Sequence, residues 1–349
     1  MNNEWEQFLL SINAIIENGV VKNFNHSFKE EQSAYSNLVL ADLSHYALIE
    51  ANGDDVEDFL QGQLSNDIKL VTENTGQLSA YCNPKGRILA NFRIFKRQNS
   101  YFLRLRADIS DTTLKRLRMF VMRSKVELID RTTEFSRMGI AGHNADKELS
   151  TIFQNLPVNT DESSTENNIT IIKLAGSVPR YEAHGPFENI KELWKKLQSK
   201  AVLVGENSWN LLTIRAGIPE VVTETVEEFV PQMLNLQAIN SLSFTKGCYP
   251  GQEVVARMHY LGKLKRRLFI CSANDEKLPT SGTAIFTSDE NEQKVGQIVT
   301  ASWSTEQKFE LLAVLQIEKA ENNELHIGSS AGPILQLHDL PYKLENEKK

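Results

Sequence analysis

Apolar residues recur at helical spacing from the start of the chain. Trp5, Phe8, Leu9, Ile12, Ile15 and Ile16 share one face, which predicts a single amphipathic helix followed by a polar connection to about residue 40. Residues 38–50 alternate enough to predict strands. Asp54 and Asp55 stand before a run with Phe59, Leu60 and Leu64 on one face, the pattern of a capped helix. Two strand-like runs follow, 78–95 and 101–107, with Asn83-Pro84-Lys85-Gly86 as a tight turn inside the first. Asp111 opens a further helix whose apolar face is Leu114, Leu117, Phe120 and Val121. Its other face carries Lys115, Arg116, Arg118 and Arg123, which reads as a solvated surface. Strands and helices in this order predict α+β packing.

Residues 158–168 are polar, lack aromatics and read as an exposed loop; 169–174 reads as a strand and 188–197 as a helix. Residues 211–216 read as a helix closed by Gly217, a residue suited to a C-terminal cap. Past residue 264 the texture changes to short apolar runs (268–271, 283–286, 295–299, 309–315, 333–337) separated by Gly, Pro, Asn and Asp. That pattern predicts a small all-β domain closing into a barrel.

Length adds that 349 residues exceed what one compact core holds, so two or three domains are expected. A composition of 41% hydrophobic and 24% charged residues is that of an ordinary globular protein. The formal net charge of −7 excludes a general nucleic-acid coat, which needs clustered cations to displace counterions. No direct nucleic-acid partner is expected, although a local basic patch stays open. The run Lys263, Lys265, Arg266 and Arg267 could meet phosphates, a polyglutamate tail or tRNA; a solvated strand face is the plainer reading. No apolar run approaches the ~20 residues that span a bilayer, so no membrane partner is expected. The acidic opening Met1-Asn2-Asn3-Glu4-Trp5-Glu6 lacks the basic start of a secretory signal, and the expected location is cytoplasmic.

Three cysteines, Cys82, Cys248 and Cys271, stand far apart and are odd in number, which argues against a disulfide framework and fits a reducing compartment. No CxxC or CxH spacing is present, and a self-contained iron–sulfur site needs about four thiolates. No stably bound metal is expected. The chain lacks GxxxxGK[ST], GxGxxG and GxSxG.

The candidate chemistry gathers at Lys246-Gly247-Cys248-Tyr249-Pro250-Gly251-Gln252-Glu253. A thiol acts as nucleophile or ligand in its thiolate form, which a neighbouring cation favours; Lys246 is two residues away. The plain alternative, a small buried hydrophobe, fits Cys248 about equally well on composition alone. Gly247 and Gly251 permit backbone shapes that let amides approach a ligand. Gln252 and Glu253 offer donors and acceptors to a ring. Cys82 and Cys271 lie in strand-like surroundings and read as core.

This octapeptide resembles the signature of the YgfZ-type folate-binding proteins of the glycine-cleavage T-protein superfamily. Phe59-Leu60-Gln61-Gly62-Gln63-Leu64-Ser65-Asn66-Asp67, Tyr81-Cys82-Asn83-Pro84-Lys85-Gly86-Arg87, Arg215-Ala216-Gly217-Ile218-Pro219, Phe229-Val230-Pro231-Gln232 and Asn235-Leu236 are similar to the family's segments and stand in its order. The resemblance covers roughly residues 38–320. It implies an aminomethyltransferase-like α+β ring of three domains. Residues 1–50 and 140–262 would form a discontinuous folate-binding domain carrying the signature, 51–139 an inserted α+β domain, and 263–349 a C-terminal β-barrel. It implies tetrahydrofolate as cofactor and, as partners, folate and iron–sulfur client enzymes such as radical-type tRNA methylthiolases, whose clusters the protein would maintain or repair. Cys248 would be the reactive thiol and Lys246 would hold it as thiolate. Tyr249, Gly251, Gln252 and Glu253 would shape the pocket, with Asn66, Asp67, Asn83, Lys85 and Arg87 lining the cavity. Two departures count against simple aminomethyl transfer. Ala90 and Asn91 stand where the transferase carries carboxylates, and Arg215 stands where many members carry a glutamate suited to the pterin ring. A tetrahydrofolate-dependent one-carbon transferase and a non-catalytic adaptor are the alternative readings.

Overall fold

The computed structural model describes residues 1–24, 33, 37–288 and 293–344. The chain divides into two compact units: Met1–Leu60, Ile68–Gln77 and Phe92–Leu212 in the first, and Gln61–Asp67, Leu78–Asn91 and Thr213–Lys349 in the second.

The first unit is built on a six-stranded sheet ordered Ser163–Glu166, Ile169–Leu174, Arg180–Pro186, Phe135–Ala141, Leu38–Asp42, Ala201–Val204. Only the last pair is parallel. One face packs against helices Asn3–Ser11 and Phe187–Leu197 through Trp5, Phe8, Leu9, Ile190, Leu193 and Trp194. The opposite face meets the strands Tyr46–Asn52 and Ser100–Arg106 through Val39, Ala41, Tyr46, Leu48 and Phe102. The strand Leu38–Asp42 is buried throughout; its apolar run follows from burial on both faces, and its closing Asp42 is satisfied by Trp5 Nε1 at 2.7 Å and by Ser44.

That inner layer also holds charge. Arg104 lies 3.3 Å from Glu182 and its guanidinium sits 3.9 Å from the Tyr46 ring centre, while His184 Nε2 lies 3.2 Å from Glu182. Arg93 pairs with Asp161. His45 is buried with its ring 4.2 Å from Tyr46, and neither ring nitrogen has a hydrogen-bond partner. Burial drives its pKa from 6.5 down to about 3, with Glu206 opposing the shift and Arg106 and Arg104 adding to it.

Two hairpins depart from the apolar pattern. The opening helix ends at Ser11, and Ile15–Glu17 instead pairs with Val20–Asn23 across Asn18 and Gly19, with φ of 51° and 74°. The polar stretch read as a loop contains the strand Ser163–Glu166, joined to Ile169–Leu174 by Asn167 and Asn168, with φ of 49° and 62°. Both are two-residue turns that need left-handed backbone at both central positions, and asparagine tolerates that region well. Turn chemistry overrode apolar periodicity in each.

The second unit contains an antiparallel sheet ordered Leu325–Ile327, Ala284–Thr287, Lys294–Thr305, Lys308–Gln316, Arg266–Asn274, Gln336–His338. This curled half-barrel is the form taken by the β-rich tail. Its long strand is offset at Ile298/Thr300 and again at Trp303/Thr305, and such bulges bend a sheet. Phe269, Cys271, Ile285, Phe309, Leu311 and Leu325 fill its core. The rest of the unit comprises the hairpin around Asn83-Pro84-Lys85-Gly86, the segment Gln61–Asp67, and the run from Thr213 through helix Gln252–Leu261. Among the described residues no helix is long and apolar enough to cross a membrane.

Candidate functional site

Lys246 anchors the signature loop. Its side chain is buried, and Nζ donates to the carbonyls of Gln61 at 2.7 Å, Leu64 at 2.5 Å and Asn66 at 3.0 Å. An ammonium has three N–H donors, so these carbonyls use them all. Burial lowers its pKa from 10.5 to about 8, and Asp67 works against that shift. The lysine thus ties the loop to Gln61–Asp67.

The tied segment is itself clamped. Ser65 N donates to Ala80 O, Ala80 N donates back to Ser65 Oγ, and Ser243 N donates to Ser65 O. Asn66 uses both amide hydrogens on the carbonyls of Leu78 and Asn240, and its Oδ1 accepts from the Asp67 amide. Asp67 accepts from Gln61 Nε2 at 2.9 Å. Asn66 is therefore a clip holding three strands of chain, with no donor left for a ligand.

After Lys246 the loop turns outward and back. Gly247 and Cys248 are exposed, and Tyr249 is buried with its ring centre 5.4 Å from Lys246 Nζ. Burial raises the Tyr249 pKa, with Cys82 adding to the rise. Cys248 presents a free thiol at the surface, whereas Cys82 and Cys271 are buried. Burial pushes the Cys82 thiol up to about 12 and Cys271 upward too, so neither ionises at neutral pH.

Gly251 sits at φ 82° and starts helix Gln252–Leu261. A Cβ there would lie 2.5 Å from the Asn83 carbonyl oxygen and 2.7 Å from the Gly86 Cα. Gly86 (φ 71°) closes the hairpin turn, in which Asn83 Oδ1 accepts from the amides of Lys85 and Arg87. Asn83 Nδ2 donates to Glu227 at 2.7 Å. Glu227 holds φ at 64°, a left-handed conformation rare for glutamate, and carried no sequence signal. Arg87 Nη1 donates to the Glu228 carbonyl at 2.5 Å. Lys85 and Glu253 are exposed, and Gln252 Nε2 reaches the Gly247 carbonyl at 3.4 Å. The structure thus brings Asn66, Asp67, Asn83, Arg87, Lys246, Tyr249 and Gly251 into one framework, chiefly as scaffold for the exposed thiol.

The two departures acquire physical content. Asn91 donates from Nδ2 to the Pro219 carbonyl at 2.7 Å and accepts the Val221 amide on Oδ1 at 2.9 Å. A carboxylate could accept the second bond but not donate the first. Arg215 forms a two-pronged pair with Glu310, at 2.6 and 2.5 Å. The carboxylate missing at position 215 is met by one from the strand Lys308–Gln316. Tyr342 lies over Gly217, donating to its carbonyl at 3.0 Å. Buried amide oxygens of Gln232 and Asn235 have no hydrogen-bond partner. Both lie in segments already noted, but their unmet acceptors were visible only in three dimensions.

Residues 19–243 match the family model described as the GCVT N-terminal domain. The fold is that of glycine cleavage system aminomethyltransferase T from Bartonella henselae, with a TM-score of 0.78 over 98% of this chain and 97% of that one at 15% identity. The molecule is an α+β protein of the aminomethyltransferase fold class. The tRNA-modifying protein YgfZ of Yersinia pseudotuberculosis serotype IB is 31% identical over 312 residues, covering 89% of this chain and 94% of the relative. That of Yersinia enterocolitica is 30% identical over the same length. The chain belongs to the YgfZ family.

Proposed function

We propose that this protein is a folate-binding accessory factor for tRNA modification that services iron–sulfur clusters of client enzymes, with Cys248 as its working group. The observation that carries the reading is the contrast among the thiols. Cys248 alone of the three stands at the surface. It does so on a loop fixed by Lys246 on one side and by the contact of Gly251 with Gly86 on the other. A rigid, exposed thiol suits transient ligation: it loses its proton to solvent, donates a lone pair to a client's iron, and leaves by ligand exchange.

Tetrahydrofolate fits the available groups. A pterin ring presents several N–H donors and needs buried acceptors. The unpartnered oxygens of Gln232 and Asn235, with the Glu310 carboxylate held by Arg215, offer them. When bound, folate would supply one-carbon carrier chemistry. Aminomethyl transfer is disfavoured because Asn91 spends its amide on the backbone and Ala90 has no charge.

The test replaces Cys248 by Ser in cells lacking the native protein and measures methylthiolated tRNA nucleosides by mass spectrometry, with calorimetry against tetrahydrofolate alongside. Loss of the modification with folding and folate binding intact supports the reading. Full modification in the Cys248→Ser strain refutes the thiol's role. No folate binding by the intact protein refutes the cofactor.

A further inference from the structure

The basic run in the second half of the chain is a strand face only at its end. Lys263 and Lys265 lie in the linker between helix Gln252–Leu261 and strand Arg266–Asn274, and only Arg266 and Arg267 enter the strand. Between Glu253 and Asp275 the chain has no acidic residue and five cations, in a protein of net charge −7. Arg257, Lys263, Lys265 and Arg266 are all exposed, and among the described residues none has a salt-bridge partner. Unpaired cations so concentrated define a local positive surface.

Aromatic rings stand on the same stretch of chain. His259 is exposed and stacks on Phe244 with centroids 3.8 Å apart and planes 14° from parallel. Tyr260 is 65% exposed, with its ring 4.8 Å from His259 and 6.1 Å from Phe244. Leu261 beyond it is 83% exposed. A solvated face has no use for exposed rings and leucine. An acidic peptide would use the cations but not the ring faces. A single-stranded nucleic acid uses both, phosphates on the cations and bases on the rings.

We propose that helix Gln252–Leu261 and the linker to Arg266 form a docking surface for single-stranded RNA, with Tyr260 and the Phe244–His259 pair as base-stacking platform and Arg257, Lys263, Lys265 and Arg266 as phosphate contacts. The surface begins at the loop that presents Cys248, so a docked RNA strand lies along the helix leading away from the thiol. The inference rests on charge and rings alone and is independent of the folate reading.

The test is fluorescence anisotropy of the full chain with a short labelled oligoribonucleotide lacking internal pairing, beside an equally charged polyaspartate and a duplex RNA. The expected result is preference for the single strand and a log K against log salt slope of about −3, four phosphates at roughly 0.7 each. Tyr260→Ala should weaken the single strand by about fivefold or more and leave polyaspartate unchanged. The charge reversals Lys263→Glu and Arg266→Glu should weaken both. Because these side chains are exposed, melting temperatures should stay unchanged, and intact tetrahydrofolate binding separates failure here from failure of the folate reading. Equal binding of polyaspartate with no effect of Tyr260→Ala would assign the surface to an acidic protein partner and overturn the proposal, as would RNA binding indifferent to all three substitutions.

Discussion

Gly251 backs onto Gly86 so closely that a side chain on Gly251 would strike backbone, whereas one on Gly86 would not. A Cβ on Gly251 would strike backbone, 2.5 Å from the Asn83 oxygen, whereas one on Gly86 would meet the Val254 side chain at 3.0 Å. Both glycines hold positive φ. Gly251→Ala therefore combines left-handed strain with a backbone clash, and Gly86→Ala adds only a side-chain contact to the strain. Strain alone costs about 1 kcal/mol. We expect Gly86→Ala to lose about that much in a urea melt and Gly251→Ala clearly more, with faster thiol labelling of Cys248 as its loop loosens. Equal losses would mean that the two turns yield independently.

Lys246→Met probes the loop's other anchor. Removing the ammonium strands three carbonyls, and unmet buried groups cost about 1–3 kcal/mol each. A total loss of about 3 kcal/mol or more is expected in the urea midpoint, with the labelling rate of Cys248 changing through loop mobility. If stability held and only the pH profile of Cys248 labelling moved, the lysine would instead serve as the thiolate's counter-charge.

His45 predicts an acid response of the first unit. Its pKa falls from 6.5 unfolded to about 3 folded, so between those values the unfolded chain binds the extra proton. The stability associated with its neutral form is complete above pH 6.5 and is lost as pH falls, by about 1.4 kcal/mol per unit. His45→Phe removes the titration. From pH 6.5 to 4 the variant should lose about 3 kcal/mol less than the parent in chemical denaturation. Parallel pH profiles for the two proteins would contradict the assignment.

Most helices and strands of this fold follow from apolar spacing, and the helix Glu206–Arg215 ends where Gly217 adopts φ 66°. The two missed hairpins turn on Asn-Gly and Asn-Asn pairs, where two residues outweigh the periodicity of a dozen neighbours. The site was legible as a set of residue types but not as a division of labour. Lys246 is two residues from Cys248 in sequence, yet its donors go to residues about 180 positions away, at sequence separations of 185, 182 and 180. Glu310 and Tyr342 reach Arg215 and Gly217 from the distant β-rich tail, and no local pattern records that approach.

The amide of Asn91 is matched to its backbone at both ends. Placing an aspartate there would set a negative oxygen against the Pro219 carbonyl that Nδ2 now meets at 2.7 Å, so the backbone would resist that charge. Fitting a carboxylate at position 91 would thus require rebuilding the Pro219–Val221 segment first; Asn91→Asp alone should yield a less stable protein.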